Sequence, residues 1–313
     1  MSLVQVGVRG RVGRGIPHLT AHLVVNPASG RGAARRLQDR VARAFQSEGW
    51  SVESVETRGP GHGSTLAADF SRAGAERVIA VGGDGIVHEV ANGLLSAGGR
   101  AALGVVPAGS GNDFAKLLGV HGHAPEPAVR RIASATVRRF DAGRVAGEYF
   151  VNTLGFGFGP EVVRIREGMP GLKGFLSYLV PVLKAFAGFR PPVLEVRAGA
   201  SREQGPVMMV EVCNGTTAGG SYRFAPGADP ADGLLDVCVI QRVGLVRFLT
   251  ALPKVMKGTH GTMREVKFLR AREITICGEQ PLVMHLDGEL RMPGTRECTI
   301  TVEPGALPVL VAS

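Results

Sequence analysis

The stretch RVIAVGGDGIVHEVANGL, residues 77–94, decides the fold. Arg77–Val81 is a short, almost wholly apolar run that reads as a buried strand, and a helical run containing His88, Glu89 and Asn92 follows it. Between them stands Gly82-Gly83-Asp84-Gly85. Three glycines let the backbone turn tightly and bring N–H groups close to phosphate oxygens, and the N-terminus of the following helix favours negative charge. A lone carboxylate there, Asp84, suits Mg²⁺ or a hydroxyl proton. Taken alone, GGDG also fits a plain tight turn.

The flanking sequence repeats the pattern. HLVVNP (22–27) reads as a strand, and Ala33, Leu37, Val41, Ala44 and Phe45 then recur at helical spacing. WSVESVE and AALGVVP are further strands, with helices expected near Ser64–Ala73, Val87–Leu95 and Asn112–Leu118. Strands alternating with helices imply a parallel sheet covered on both faces, whose ligands bind at the carboxyl ends of the strands. Three polar, glycine-bearing loops fall on that edge: Asn26-Pro27-Ala28-Ser29-Gly30, GGDG, and the loop from Pro107 to Phe114 (PAGSGNDF).

From about Val137 the pattern changes. VRRFDAGRV, YFVNTLGF, VLEVRA, PVMMVEVCNG, LLDVCVIQ, EVKFLR, EITIC, PLVMHLDGE and ECTITVEP read as strands of an antiparallel sandwich. Two basic, amphipathic helical segments interrupt them. In Leu172–Phe186 the apolar positions are Leu172, Phe175, Leu176, Leu179, Leu183 and Phe186, with Lys173, Ser177 and Lys184 on another face. In Leu245–Lys257 the stripe is Leu245, Phe248, Leu249, Leu252 and Met256, with Arg247, Lys254 and Lys257 elsewhere. Such faces either cover the sandwich or meet a bilayer. The expected division is a basic, Gly-rich flexible lead-in at 1–20, an α/β nucleotide-binding domain at 21–136, a β-sandwich substrate domain at 137–301, and a C-terminal segment at 302–313 able to return to the first domain.

Composition narrows the function. The 313 residues are 44% hydrophobic and 20% charged, as in an ordinary globular protein. The net charge of +9 suits phosphates or anionic headgroups, whereas 5% aromatics, with dispersed basic residues, disfavour base stacking and nucleic acid. Cys213, Cys238, Cys277 and Cys298 form no CxxC pair and read as reduced thiols of a cytoplasmic protein. No apolar run reaches the ~18 residues of a membrane span.

NPASG, GGDGIVHEVANGL and PAGSGNDFA together resemble the three nucleotide-site motifs of the diacylglycerol kinase catalytic family, which includes sphingosine and ceramide kinases and is related in fold to NAD kinases and phosphofructokinases. The pattern GxxxxGK[ST] is absent. The segment NTLGFGFGP (152–160), the loop from Asp229 to Leu235 (DPADGLL) and Leu286-Asp287-Gly288-Glu289 extend the resemblance over roughly residues 22–310. It implies an NAD-kinase-like α/β domain with a C-terminal antiparallel β-sandwich domain, and an ATP-dependent lipid kinase, diacylglycerol being the first acceptor considered. ATP would be contacted by Asn26, Pro27, Ala28, Ser29, Gly30, Thr57, Gly82, Gly83, Asp84, Gly85, Ile86, Val87, His88 and Ser110. Asp232, with backbone carbonyls of Asp229 and Leu234, would hold Mg²⁺. The proton acceptor would be Glu289 or Asp287, with Asp84 organising phosphates and metal; in the sphingosine-kinase branch the residue at Asp84 is the base. Asp287-Gly288 and Asp232 also fit ordinary turns. Ile86 stands where the family usually has Thr, and Ser110 where bacterial members often have Thr. The lipid would be met at a membrane surface by a cytoplasmic, peripherally associated protein, with a homodimer left open. The rival readings are a kinase of the same superfamily for a sphingoid base, phosphatidylglycerol, NAD or a sugar phosphate, and a nucleotide-binding regulator without catalysis.

Overall fold

The computed structural model describes residues 19–120, 122, 124–169 and 176–312. Residues 1–18 of the expected lead-in lie outside them, as do Leu172, Lys173 and Phe175 and the side chains of Leu176, Ser177 and Leu179.

Short aliphatic runs build the first sheet. β1 (Thr20–Val25), β2 (Ser51–Glu56), β3 (Arg77–Gly82) and β4 (Ala102–Pro107) pair in parallel in the order β2-β1-β3-β4. β4 is buried along its whole length and β3 at all but its first residue, which is why both read as continuous apolar runs. Around them pack α1 (Ser29–Ser47), α2 (His62–Arg72), α3 (Asp84–Ser96), the short α4 (Asp113–Leu117) and α5 (Pro125–Ala133), with α1 against α5 and α2 against α3. The sequence did not suggest α5, because its two prolines suppress helical expectation. Both sit in the first turn, where the missing N–H has no helical partner anyway, and Ala128, Val129 and Ile132 are buried.

The second half is the β-sandwich. β5 (Thr136–Val145) and β6 (Glu148–Phe150) form one hairpin, followed by β7 (Thr153–Gly157). Helices α6 (Phe158–Glu167) and α7 (Leu176–Gly188) precede β8 (Val193–Ala198) and the long β9 (Ser201–Cys213). β10 (Leu235–Gln241), α8 (Leu245–Lys257), β11 (Val266–Ala271), β12 (Glu273–Gly278), β13 (Met284–Leu286), β14 (Glu289–Arg291) and β15 (Glu297–Val311) complete it. β9 belongs to both layers: Ser201–Pro206 pairs with β8, while Val207–Cys213 pairs with β7 and β10. β15 ties the two halves together. It runs antiparallel to β12 and β5, and Val309 meets Leu103 of β4 in parallel register.

α6 is a helix that the sequence reading missed, since Gly157 hides the change of period. Gly157 has φ 81°, turns β7 into the helix, and lets Phe158, Val162 and Ile165 fall on one apolar face. Helices α6, α7 and α8 lie over the outer face of β9 and β10 in a separate apolar cluster that includes Phe158, Val182, Met209, Ile240, Phe248 and Met263. The α8 stripe is also rotated from expectation. Phe248 and Val255 are buried and Ala251 and Leu252 pack inward, whereas Leu245, Val246 and Leu249 are 50%, 77% and 42% exposed. Among the described residues no helix is long and apolar enough to cross a membrane.

Candidate active site

The three glycine-bearing loops meet at the carboxyl ends of β1, β3 and β4 because glycine allows their backbones to touch. Gly83 and Gly109 pack Cα against Cα, and a Cβ on Gly83 would stand 3.1 Å from the Gly109 Cα. Gly30, with φ 58°, presses on the Ala108 carbonyl, where no Cβ would fit. Asn112, itself at φ 55°, clamps the third loop by accepting from the Gly109 N–H and donating to its carbonyl, both at 2.9 Å. Ser29 Oγ accepts a long hydrogen bond from the Gly83 N–H, 3.4 Å.

Asp84 opens α3 and accepts from the Phe114 N–H at 3.2 Å. Burial first, and the neighbouring Asp113 second, push its carboxyl up to about 6. Asp113 is buried, pairs with Lys116 at 3.2 Å and accepts from the Gly220 N–H at 2.7 Å. Sequence reasoning included Asn112 and Asp113 in a motif without giving either a role.

Asp287 and Gly288 form the two-residue turn of the β13–β14 hairpin, with φ of 50° and 91°, the mirror-image turn that favours Asp-Gly. The turn reading and the site reading of that motif therefore both hold. Asp287 is not placed to take a proton. Its Oδ1 accepts from Asn152 N–H (2.8 Å) and Thr153 N–H (3.0 Å), and its Oδ2 meets Val151 N–H (3.0 Å) and His88 Nδ1 (2.9 Å). A carboxylate has about four lone-pair sites, and all are filled. Glu289 is exposed one step further on, and its Oε1 reaches to 2.8 Å from the position of a Cβ on Gly85. Of the two carboxylates, Glu289 is the exposed one, over the GGDG loop.

His88 is held from both sides, with Nε2 3.0 Å from Glu148, which in turn pairs with Arg291. Burial alone would lower its pKa, but the hydrogen bonds and charges of Asp287 and Glu148 win and hold it at about 9. Burial likewise opposes ionisation of Glu148, and His88 and Arg291 overcome it, holding that carboxyl down at about 2. Glu148 and Arg291 carried no motif, so nothing in the sequence marked them.

One cavity of about 340 Å³ collects much of this. Of the expected nucleotide residues, Ser29, Gly30, Gly83, Asp84, Gly85, Val87 and Ser110 line it, as do Asp287 and Glu289. The others do not line it. Asn26 Oδ1 accepts from Ala28 N–H at 3.0 Å, shaping the turn through Pro27, and Thr57 N–H continues the strand ladder to Val25 at 2.8 Å. Gly82 ends β3, and a Cβ there would stand 2.6 Å from Ile86 Cγ2. Ile86 itself is 2% exposed and packs in the core of the first domain. His88 has both ring nitrogens engaged and is no ready nucleotide contact.

Beyond the loops the same cavity continues between α6, α8 and β9 along Phe158, Val182, Met209, Phe248, Leu252 and Met263. A polar, glycine-lined mouth thus opens into an apolar chamber.

The expected Mg²⁺ loop lies apart from the cavity and its carboxylates have partners of their own. Asp229, Asp232 and Leu234 line no part of the cavity, and Asp232 Oδ1 accepts from the Leu234 N–H at 3.0 Å while Oδ2 pairs with Arg270. A guanidinium already neutralises the loop's nearest carboxylate. Asp229 Oδ1 accepts from Ala231 N–H at 3.1 Å, and Asp141 holds Gly233 N–H at 2.7 Å, so the segment is a braced turn. Among the described residues no three His, Cys, Asp or Glu side chains cluster to hold a metal. The four cysteines are free, with Cys277 half-buried and the others buried.

A parallel α/β sheet carrying a glycine-lined phosphate edge, joined to a β-sandwich with an apolar chamber, is the architecture of a lipid kinase. The chain belongs to the diacylglycerol kinase and YegS-like family: the model for the diacylglycerol kinase catalytic domain matches residues 20–145, and that for the YegS C-terminal NAD kinase beta sandwich-like domain matches 152–311. It is similar to a diacylglycerol kinase of Bacillus subtilis (strain 168), 27% identical over 270 residues, covering 86% of this chain and 89% of that one. A Pseudomonas aeruginosa (strain PAO1) protein named probable lipid kinase YegS-like is 32% identical over 281 residues, covering 86% and 88%. A crystal structure of a diacylglycerol kinase from Bacillus anthracis str. Sterne superposes with a TM-score of 0.71 at 20% identity, over 95% of this chain and 98% of that one.

Proposed function

We propose that the protein transfers the γ-phosphoryl group of MgATP to the hydroxyl of a membrane lipid, with diacylglycerol the first acceptor to test because a relative carries that name. The observation that carries this reading is the single cavity joining the glycine-lined loops to the apolar chamber. Phosphoryl transfer depends chiefly on positioning and charge neutralisation. The backbone N–H groups in the first turn of α3, Gly85 among them, suit the phosphates. Asp84, Asp113 and Glu289 would repel a bare polyphosphate, so the nucleotide enters with its Mg²⁺. The acyl chains occupy the chamber beneath α8, and the lipid hydroxyl reaches the loops beside Glu289, which takes its proton as it attacks. Asp84 orders phosphates and cation.

The acceptor lies in a bilayer, since exposing two acyl chains to water costs ~0.8 kcal/mol per CH₂. Leu245, Val246 and Leu249 on the outer side of α8, with Lys254 and Lys257 in its last turn, form the contact with an anionic surface. The test is incubation of the purified protein with γ-labelled ATP and separate lipids, NAD and sugar phosphates. Label in a lipid is the expected result; label only in NAD or a sugar phosphate, or none, overturns the reading.

A further inference from the structure

Within the cavity, one buried carboxylate lacks a hydrogen-bond donor. Glu211 is 1% exposed and lines the chamber, yet neither of its oxygens accepts a hydrogen bond of good geometry. Register explains how it comes to be there. On β9, Val210 and Val212 face the sandwich core, so Glu211 between them faces the helical layer. On β13, Met284 and Leu286 face the core and His285 faces out in the same way. β7 separates the two strands, pairing Gly155 with Glu211 on one side and with His285 on the other. Any side chain at Gly155 would collide with both. Glycine there leaves a notch, across which His285 Nε2 approaches Glu211 Oε1 at 3.3 Å.

His285 belongs to the hairpin that carries Asp287 and Glu289, so the notch lies where the polar mouth becomes apolar. His285 stands beside Glu211 but does not fill its lone pairs. Buried carboxylate oxygens require donors, and a site built around them discriminates strongly against a ligand that cannot supply one.

We propose that Glu211, steadied by His285, is a specificity-determining residue that accepts a hydrogen bond from a second donor on the lipid headgroup, a hydroxyl or ammonium next to the hydroxyl that is phosphorylated. Preferred acceptors are then lipids with vicinal donors, either a diol such as a monoalkylglycerol or an amino alcohol such as a sphingoid base. Diacylglycerol has a single hydroxyl and leaves Glu211 unserved. This inference rests on the lipid-kinase reading above.

The test compares matched lipids in mixed micelles: 1-O-alkylglycerol against its 2-O-methyl ether, and a sphingoid base against its N-acetyl derivative. Each pair is assayed with the wild-type protein and with Glu211→Gln. In the wild type, kcat/KM is expected to be ~10- to 100-fold higher for the donor-bearing member of at least one pair, the range for a hydrogen bond to a charged group. Which pair shows it separates diol from amino alcohol. In Glu211→Gln that ratio is expected to shrink at least fivefold. Equal use of both members of both pairs by the wild type overturns the inference while leaving lipid-kinase activity standing, as does a ratio that Glu211→Gln does not change. A protein that phosphorylates no lipid overturns both. Should Glu211→Gln fail to fold, the wild-type ratios decide alone.

Discussion

Asp287 and Glu289 are two residues apart and chemically alike, yet their surroundings assign them different work. Four donors saturate Asp287, three of them backbone N–H groups at the start of the sandwich, so it anchors the hairpin and orients its neighbour. Glu289 is exposed and reaches over Gly85. Glu289→Gln is accordingly expected to lower kcat ~10²- to 10⁴-fold, the usual scale of general-base catalysis, with little change in the melting temperature. Asp287→Asn is expected to show the reverse emphasis. It leaves His88 facing a neutral partner in a buried site, which costs on the order of 3 kcal/mol and lowers the melting temperature by several degrees. Steady-state kinetics beside thermal melts check both, and a destabilised Glu289→Gln with normal turnover would exchange the two roles. Asp232→Asn is expected to leave the half-saturating Mg²⁺ concentration unchanged, because Arg270 already serves that carboxylate; a metal titration of activity decides it.

At the scale of elements, the three glycine-bearing loops were legible because their glycines are demanded by the backbone itself. Gly83 against Gly109 and Gly30 against Ala108 are contacts that no other residue allows, so the requirement is written in residue type. A Gly109→Ala substitution is expected to push the loops apart and weaken nucleotide binding at least tenfold, measurable by calorimetry. Helix α6 was not legible, since Gly157 belongs at once to the end of β7 and the start of the helix, and α5 was masked by prolines harmless in a first turn. Glu148 and Arg291 were invisible for another reason. Their value arises only when β6 and β14 meet His88 from α3, and no local spacing encodes that meeting. For α8 the period was legible but its phase was not. Replacing Val246 and Leu249 by Asp should therefore reduce sedimentation with anionic vesicles without unfolding the sandwich, because both side chains already face solvent. Undiminished vesicle binding would place the membrane contact elsewhere.

Across the whole molecule, the two halves are joined by β5 and β15 and by the chain Asp287–His88–Glu148–Arg291, buried at its first two members and half-buried at its last two. The chain makes the junction sensitive to pH. The His88 pKa is about 9 in the folded protein against an ordinary 6.5, so its stabilisation is complete below about pH 6.5 and is lost as the pH rises through about 9. The loss is on the order of 1–3 kcal/mol. Melting temperatures taken from pH 6 to 10 should fall for the wild type over that interval and fall less for His88→Gln. Parallel curves for the two proteins would remove His88 from the junction.

The glycine-lined mouth and the apolar chamber share one cavity, and that continuity carries the lipid-kinase proposal. The most direct measurement fills the chamber and leaves the mouth untouched. Ala251 lines the same cavity from α8 and belongs to none of the glycine-bearing loops. In Ala251→Trp, transfer of label from γ-labelled ATP to a long-chain lipid should drop at least tenfold, while ATP affinity by calorimetry stays within about threefold of the wild type, given that one bulky side chain displaces acyl carbons each worth ~0.8 kcal/mol. Undiminished lipid phosphorylation by a folded Ala251→Trp protein would mean that the acyl chains lie elsewhere and that the joined cavity does not carry the reaction.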